Sequence, residues 1–348
     1  MATTLFALYT LARCGLDPRK DPSLKKGIAY VLAETEFTWD ELGAQANRVV
    51  VLDASRLQQP TRREPREMST YEVAVSVLLV DAAYGSGQSM RDPKTTKTRM
   101  SKSVLKPPRR SKIKKDIWKW MHRRVRFLTT GYRSKNRHIP GLQVRRGPNT
   151  GGWRYGPVNP NSGQGNADLS ATHIALAALQ AAARSGYPVE KLAPTTFQDA
   201  ARFVLSCQRP SGGFAYHARG GVESGSMTAC GVMSLLICRE QAVRIGKAVD
   251  PRVDVAIQKG LGWLDQTHVA IQSPEGDNHH YYYLFALSGL REFREGVDPK
   301  RRDWPRNGAR AILEDQSVDG WWIDATEVFQ PRKILSTTLA LNILNATR

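Results

Sequence analysis

An all-α ring of helical hairpins, an (α/α)6 toroid, is the fold class this sequence predicts, and three observations predict it. First, a short grammar recurs. "CQRPSGGF" at 207–214 and "QSVDGWW" at 316–322 both write Gln, three spacers, Gly, one residue and a large aromatic ring, each just after a stretch with helical apolar spacing. Second, a more apolar helical stretch follows each turn: "SMTACGVMSLLICREQ" after one and "LSTTLALNILNA" after the other. Third, the same order of helix, turn and helix is found at "DIWKWMHRRVRFLTT" through "GGWRYG" to "DLSATHIALAALQAAARSG", and at "DVAIQKGLGWLDQ" through a loop to "HHYYYLFALSGLREF". A hairpin with one oily side cannot cover it alone, so such units stack until they are covered.

In chain order, apolar helices are predicted from near Thr3, Ser69, Asp168, Ser224, Asn278 and Leu335, and amphipathic ones near 22–34, 115–130, 196–207, 253–266 and 306–315. The six apolar helices suit an inner ring and the five amphipathic ones an outer layer facing water. The first outer helix is missing, so the expectation is either a further N-terminal piece or a toroid left open there. Within each turn, Gly permits a tight reversal, Gln can bond the open groups of a helix end, and the aromatic ring staples one hairpin to the next.

The 348 residues, 41% of them hydrophobic, can bury a large core. The expectation is one toroid over 1–348 carrying a basic insertion at about 91–114, with basic character continuing to 148. No run of about 18 uncharged apolar residues is present to cross a membrane. The start has neither a basic leader nor a small-residue cleavage site, which favours a cytoplasmic or membrane-peripheral protein. Cys14, Cys207, Cys230 and Cys238 lack C-x-x-C spacing and lie in predicted helices or at their ends, as buried reduced thiols do.

The net charge of +19 is local: 20 Lys or Arg stand against Asp92 and Asp116 between 91 and 148, and the rest of the chain is nearly neutral. "RDPKTTKTRMSKSVLKPPRRSKIK" at 91–114 cannot form a core of its own and reads as an insertion. The next helix sets Trp118 and Trp120 amid basic residues, a pattern that fits an anionic membrane surface; the alternative is an ordinary outer helix beside a solvated linker. Nucleic acid is the weaker partner reading, because no nucleic-acid-binding motif accompanies the charge.

Gln208, Gly212 and Phe214, then Gln316, Gly320 and Trp322, with weaker forms at Gly151, Gly152, Trp153 and at "KGLGWL" 259–264, resemble the repeats of squalene-hopene cyclases and protein prenyltransferase β subunits. The resemblance covers most of the chain outside roughly 35–68 and 91–148. It implies a toroid with a central cavity for a hydrophobic isoprenoid-type ligand, and the family also has binding members without catalysis. Class II cyclases protonate a double bond with an Asp-rich acid motif, and this chain contains no Asp–Asp pair. The prenyltransferase zinc site needs Asp, Cys and His; "GDNHHYYY" offers Asp277 with His279 or His280, while Ser336 stands where the family's His would fall. Neither a metal nor another cofactor is therefore expected.

Laying the apolar helices over one another at Ala7, Ala74, Ala175, Gly231, Ala286 and Ala340 puts Thr4, Tyr71, Thr172, Thr228, Tyr283 and Thr337 three positions earlier, a hydroxyl layer near the N-terminal mouth of the ring. The alternative is that these hydroxyls serve crowded first turns by bonding backbone. The same mouth collects Asp168, His173, Glu223, Ser226, Asp277, His279, His280, Tyr281 and Tyr282. His217 lies on a Gly-rich loop that could fold over it. Asp168, Glu223, Asp277, His279 and His280 are the candidate acid–base groups; the competing reading makes Asp168 an N-cap, and Asp277 or Asn278 the cap of the later helix. Tyr71, Thr172, His173, Thr228, Tyr282, Tyr283, Thr337 and His217 are the candidate ligand-binding groups. The leading reading is binding, with transformation left open, of an isoprenoid-type molecule. The alternatives are a non-catalytic scaffold docking to an anionic partner, and carbohydrate chemistry that would pair Asp168 with Glu223 or Asp277.

Overall fold

The computed structural model describes residues 2–18, 20–29, 69–84, 115–130, 132–134, 137–139, 141–144, 149–155, 167–218, 220–267, 279–290, 293, 304–324 and 332–346. The first apolar helix, α1, runs Ala2–Arg13, and α2 spans 22–29. Ser69 and Glu72 start α3 (Thr70–Tyr84) with a reciprocal cap: Ser69 N donates to Glu72 Oε2 at 2.9 Å, and Glu72 N donates to Ser69 Oγ at 3.2 Å. After α4 (Lys115–Leu128), strands β1 (Tyr132–Ser134) and β2 (Arg137–Ile139) form a small antiparallel hairpin that the helical pattern did not anticipate. Asp168 and Ser224 cap α5 (Leu169–Arg184) and α8 (Gly225–Arg244), accepting from Ala171 N and Met227 N. The remaining helices are α6 (Val189–Leu192), α7 (Thr196–Cys207), α9 (Pro251–Thr267), α10 (His280–Leu290), α11 (Trp304–Glu314) and α12 (Arg332–Ala346).

Helices α1, α3, α5, α8, α10 and α12 pack each on the next, and α12 packs back on α1. That order is a closed ring of six inner helices among the described residues. Its seam is polar: Asn342 Nδ2 donates to Thr10 Oγ1 at 2.5 Å and Asn345 Nδ2 to Arg13 O at 3.2 Å. Helices α4, α7, α9 and α11 lie outside, each against inner helices, and a Cβ on Gly27 would sit 2.6 Å from Leu8 Cδ2, so α2 backs α1. The chain is an α/α toroid. The pattern of burial follows from the layer: α8 is buried continuously from Gly225 to Cys238, whereas α7 buries only a stripe that includes Phe197, Ala200, Phe203, Val204 and Cys207.

The recurring turn is a clip with four parts. Gln208 Nε2 donates to Gly212 O and to Ala256 O of α9, both at 2.9 Å, and Thr228 Oγ1 of α8 accepts from Phe214 N at 3.0 Å. Gln316 Nε2 donates to Gly320 O at 3.1 Å and Thr337 Oγ1 accepts from Trp322 N at 3.1 Å. A third copy is complete as well: Gln143 Nε2 donates to Gly151 O and Thr196 O, and Thr172 Oγ1 accepts from Trp153 N at 3.0 Å. The indoles of Trp153 and Trp322 each donate back to the preceding outer helix, at Leu128 O and Ile312 O, both 2.6 Å. Gly151 and Gly212 both take φ +102°, and a Cβ there would meet backbone of the next outer helix, Asp199 O at 2.0 Å and Lys259 O at 2.7 Å. Glycine is required on both counts.

Two expectations are corrected here. "KGLGWL" is not a weaker copy of the turn signature: 259–264 lies inside α9, as the helix predicted at 253–266 has it, and Gly260 there admits Val232, whose Cγ2 would be 2.6 Å from a Cβ. None of the four thiols is in a disulfide; Cys207, Cys230 and Cys238 are buried, but Cys14 follows the end of α1 and is only partly buried.

Candidate functional site: a polar layer at the mouth of the ring

The first turns of the inner helices bring Asp168, Ser170, Tyr71, Tyr282, Cys230 and His173 into one connected layer. Asp168 is fully buried; its Oδ1 accepts from Ala171 N at 2.7 Å and from Ser170 Oγ at 2.8 Å. Its Oδ2 has no hydrogen-bond partner and lies 3.7 Å from Arg154 Nη1. Burial pushes the Asp168 carboxyl above its usual range, opposed by those donors and by Arg154 and His217. The Tyr71 phenol lies near Ser170 and near the Tyr282 phenol of α10. Cys230 Sγ lies 3.4 Å from both the Tyr282 hydroxyl and His173 Nδ1. Burial holds both phenols well above their ordinary value and lowers His173 to about 4, so His173 is neutral at pH 7.

Aromatic residues cover this layer from the loops. Tyr155 stacks on Tyr71 with centroids 5.3 Å apart, and its hydroxyl accepts from the Tyr216 hydroxyl at 3.2 Å. His217 packs edge-on against Tyr216, with Nδ1 3.2 Å from Ala167 O. Arg209 ties the loop down by donating to the carbonyls of His217, Gly220 and Gly221.

Below the layer, the inner helices keep an accessible apolar stripe. Ala177 and Ala181 on α5, Tyr282 and Phe285 on α10, Leu341 and Leu344 on α12, and Ala7 on α1 recur at three- or four-residue spacing and are only partly buried. Ala177, Ala181, Tyr282, Phe285, Leu341 and Leu344 pack against the buried core while keeping part of their surface. Tyr71 of α3 and Tyr282 of α10, helices that stand opposite in the ring, come together at this level, and both residues keep part of their surface. Phe6 of α1 reaches Phe285 of α10 edge-on, centroids 6.2 Å apart, although α12 stands between those helices in the ring.

No family model matches the chain, and no curated protein matches it. Among solved structures it is similar to a type II terpene cyclase from Scytonema, at 10% identity and TM-score 0.47, covering 99% of this chain and 87% of that one. It is also similar to Candida albicans protein geranylgeranyltransferase-I complexed with GGPP, at 14% identity and TM-score 0.49, covering 98% and 82%. A Scytonema cyclase complex with geranylgeranyl dihydroxybenzoate gives 10% identity and TM-score 0.46, covering 99% and 85%. Likeness at this level is one of helical arrangement; the toroid rests on the closed ring itself, and the reading of the site on its own residues.

The other predicted groups are dispersed. The hydroxyls of Thr172, Thr228 and Thr337 are engaged in the clips, and Thr4 is exposed. Tyr283 is fully buried, about 100° around α10 from Tyr282. Glu223 accepts from Ser211 Oγ at 2.8 Å on the clip loop, and that bond holds its carboxyl below the usual range. His279 begins α10, its carbonyl accepting from Tyr283 N at 2.9 Å. His280 is partly buried and lowered by burial, against the pull of Asp324 and Asp315. Asp324 Oδ2 accepts from Tyr281 N at 3.1 Å. Asp277, the insertion at 91–114 and the side chain of Trp118 lie outside the described residues. Among the described residues no three His, Cys, Asp or Glu side chains gather as a metal site would need, and no helix is long and apolar enough to cross a membrane.

Sequence reasoning missed Gln143, Ser170, Arg154, Tyr155, Tyr216 and Cys230. Gln143 was findable as a Gln upstream of "GGW", and Ser170 stands two residues from Asp168; the other four acquire meaning from neighbours more distant in sequence. One reading of α4 is corrected: Trp120 is 2% exposed and carries the Arg124 guanidinium over its ring at 4.7 Å, so it belongs to the core and is not free for a membrane interface.

Proposed function

We propose that this chain holds a hydrophobic, isoprenoid-type molecule in the hollow of the toroid, with the molecule's polar end at the layer of Asp168, Tyr71, Tyr282, Cys230 and His173. The accessible apolar stripe on the inner helices carries this reading, because a protein interior ordinarily closes such surface. Any chemical step at the polar end would begin from Asp168, a fully buried carboxylate in that layer. Native mass spectrometry of the purified full chain with its co-purifying lipids is the test. A retained polyprenyl species is expected, and repeatedly empty spectra would sink the reading.

The Phe6–Phe285 contact supports a second reading, a narrowed ring that serves as a scaffold. In it, the basic segment at 91–114 is an insertion carried by one toroid and docks it to an anionic surface. Deleting 91–114 should leave folding intact while binding to anionic vesicles falls and loses its salt dependence; unchanged vesicle binding would remove this reading.

A further inference from the structure

Among the described residues, α2, α4, α7, α9 and α11 back a ring of six inner helices, and the groove between α12 and α1 has no outer helix of its own. Elsewhere α4 covers α3 and α5, α7 covers α5 and α8, and α11 covers α10 and α12. The clips on either side of the open groove are each half made. Gln143 and Gln208 bond the next outer helix, at Thr196 O and Ala256 O, as well as their own Gly carbonyl. Gln316, exposed just after α11, bonds Gly320 O and, among the described residues, no next outer helix. Gly320 shares the positive φ, at +82°, yet a Cβ there would meet only Gln316 Nε2 within 4 Å, where one on Gly151 or Gly212 would strike the next outer helix. On the far side of the groove, Thr4 holds the aligned position at which Thr172, Thr228 and Thr337 each accept from a clip amide, and it is exposed. The apolar surface is open there too. Leu11, four residues after the aligned Ala7, is 37% exposed, whereas the equivalent Leu179, Leu235 and Leu290 are 0%, 0% and 1% exposed. Ile334 is 49% exposed on the side of α12 that bears Asn345 and so meets α1.

We propose that the groove between α12 and α1 docks a partner polypeptide built like an outer helix of this chain: an amphipathic helix about as long as the 12 residues of α7, followed by a Gly–aromatic turn. The groove continues an interface that the chain already builds with five outer helices, and the two half-made clips state what the occupant must bring. A backbone carbonyl near the start of its helix would accept from Gln316 Nε2. The amide of its turn aromatic would donate to Thr4 Oγ1, and its apolar stripe would cover Leu11 and Ile334. A second copy of this chain has no described outer helix to spare for the place, because each already backs inner helices of its own ring.

The probe is a fluorescein-labelled peptide of residues 196–214, the chain's own α7 with its clip, carrying Cys207→Ser; a scrambled peptide of the same composition is the control. In anisotropy titrations against the full chain the probe is expected to bind and the control not to. Amide exchange should slow in α1, α12 and 316–322 when the probe is bound. Leu11→Glu should weaken the probe about tenfold or more. Thr4→Val and Gln316→Ala change exposed side chains, keep the fold by circular dichroism, and should each weaken it about two- to tenfold, the yield of one hydrogen bond. Binding no better than that of the scrambled peptide, equal binding to the wild type and all three variants, or slowed exchange confined to α5 and α8 would overturn the inference. A concentration-dependent dimer that Leu11→Glu dissolves would give the groove to a second copy and overturn it as well.

Discussion

His173 is a histidine that folding keeps neutral, with its value lowered to about 4 by burial. Between the ordinary histidine value and about 4 the unfolded chain binds a proton that the folded chain refuses, so stability is lost as pH falls through that window, by up to roughly 3 kcal/mol. Asp168 works in the opposite sense: its raised carboxyl favours the proton in the folded state, and acid relieves part of the cost of burying its charge. Urea unfolding of the wild type and His173→Gln from pH 7 to pH 4 should show the steeper acid loss only in the wild type; parallel curves would count against a neutral buried imidazole. Glycine offers a second contrast. Gly151 and Gly186 both have positive φ, but a Cβ on Gly151 would strike Asp199 O whereas one on Gly186 meets nothing within 4 Å. Gly186→Ala should cost about 1 kcal/mol, and Gly151→Ala distinctly more because the strand of loop must also back away from α7.

At the scale of elements, the clip joins an outer helix, its turn, an inner helix and the next outer helix. Its three Gln side chains differ in burial: Gln143 is fully buried, Gln208 partly buried and Gln316 exposed. Their replacement by Ala should therefore cost in that order, about 2–3, 1–2 and under 1 kcal/mol in chemical denaturation, since only a buried carbonyl left unpaired pays its full desolvation. Equal costs would mean that the clip bonds are replaced by water everywhere. Gln208 and Gln316 were legible because their spacing to Gly repeats. Gln143 is upstream of "GGW" but off the repeat spacing, because seven residues, "VRRGPNT", separate it from Gly151 where three separate Gln from Gly in the other copies, while the hydrogen bond to the Gly carbonyl stays the same. The aligned Thr hydroxyls were legible as a layer, but three of them serve the clip: a position repeated in every unit is first a requirement of the unit.

For the whole molecule, closure depends on the meeting of α12 with α1, the first and last described helices. Asn342 bonds Thr10 from a separation of 332 residues and also its own Thr338 carbonyl at 3.0 Å. Asn342→Ala should destabilise the seam by about 1–3 kcal/mol, and hydrogen exchange should rise in α1 and α12 well before α5 and α8. A uniform rise across all four helices would show that the ring opens as one unit and not at this joint. The same closure brings Tyr71 of α3 to Tyr282 of α10 and Phe6 to Phe285, contacts between helices that are not neighbours in the ring. A linear stack of the same hairpins would make neither.

The sequence by itself determined the helices, their alternation between inner and outer layers, and two of the three clips, because apolar period, Gly at forced positive φ and Gln spacing are local requirements. Only the tertiary structure decided that the ring closes, and which polar groups meet at its mouth. Asp168, Arg154, Tyr71, Cys230 and Tyr282 come from five separate segments; their pairing is set by how far each helix turns about its axis when packed, and residue spacing carries no record of that rotation.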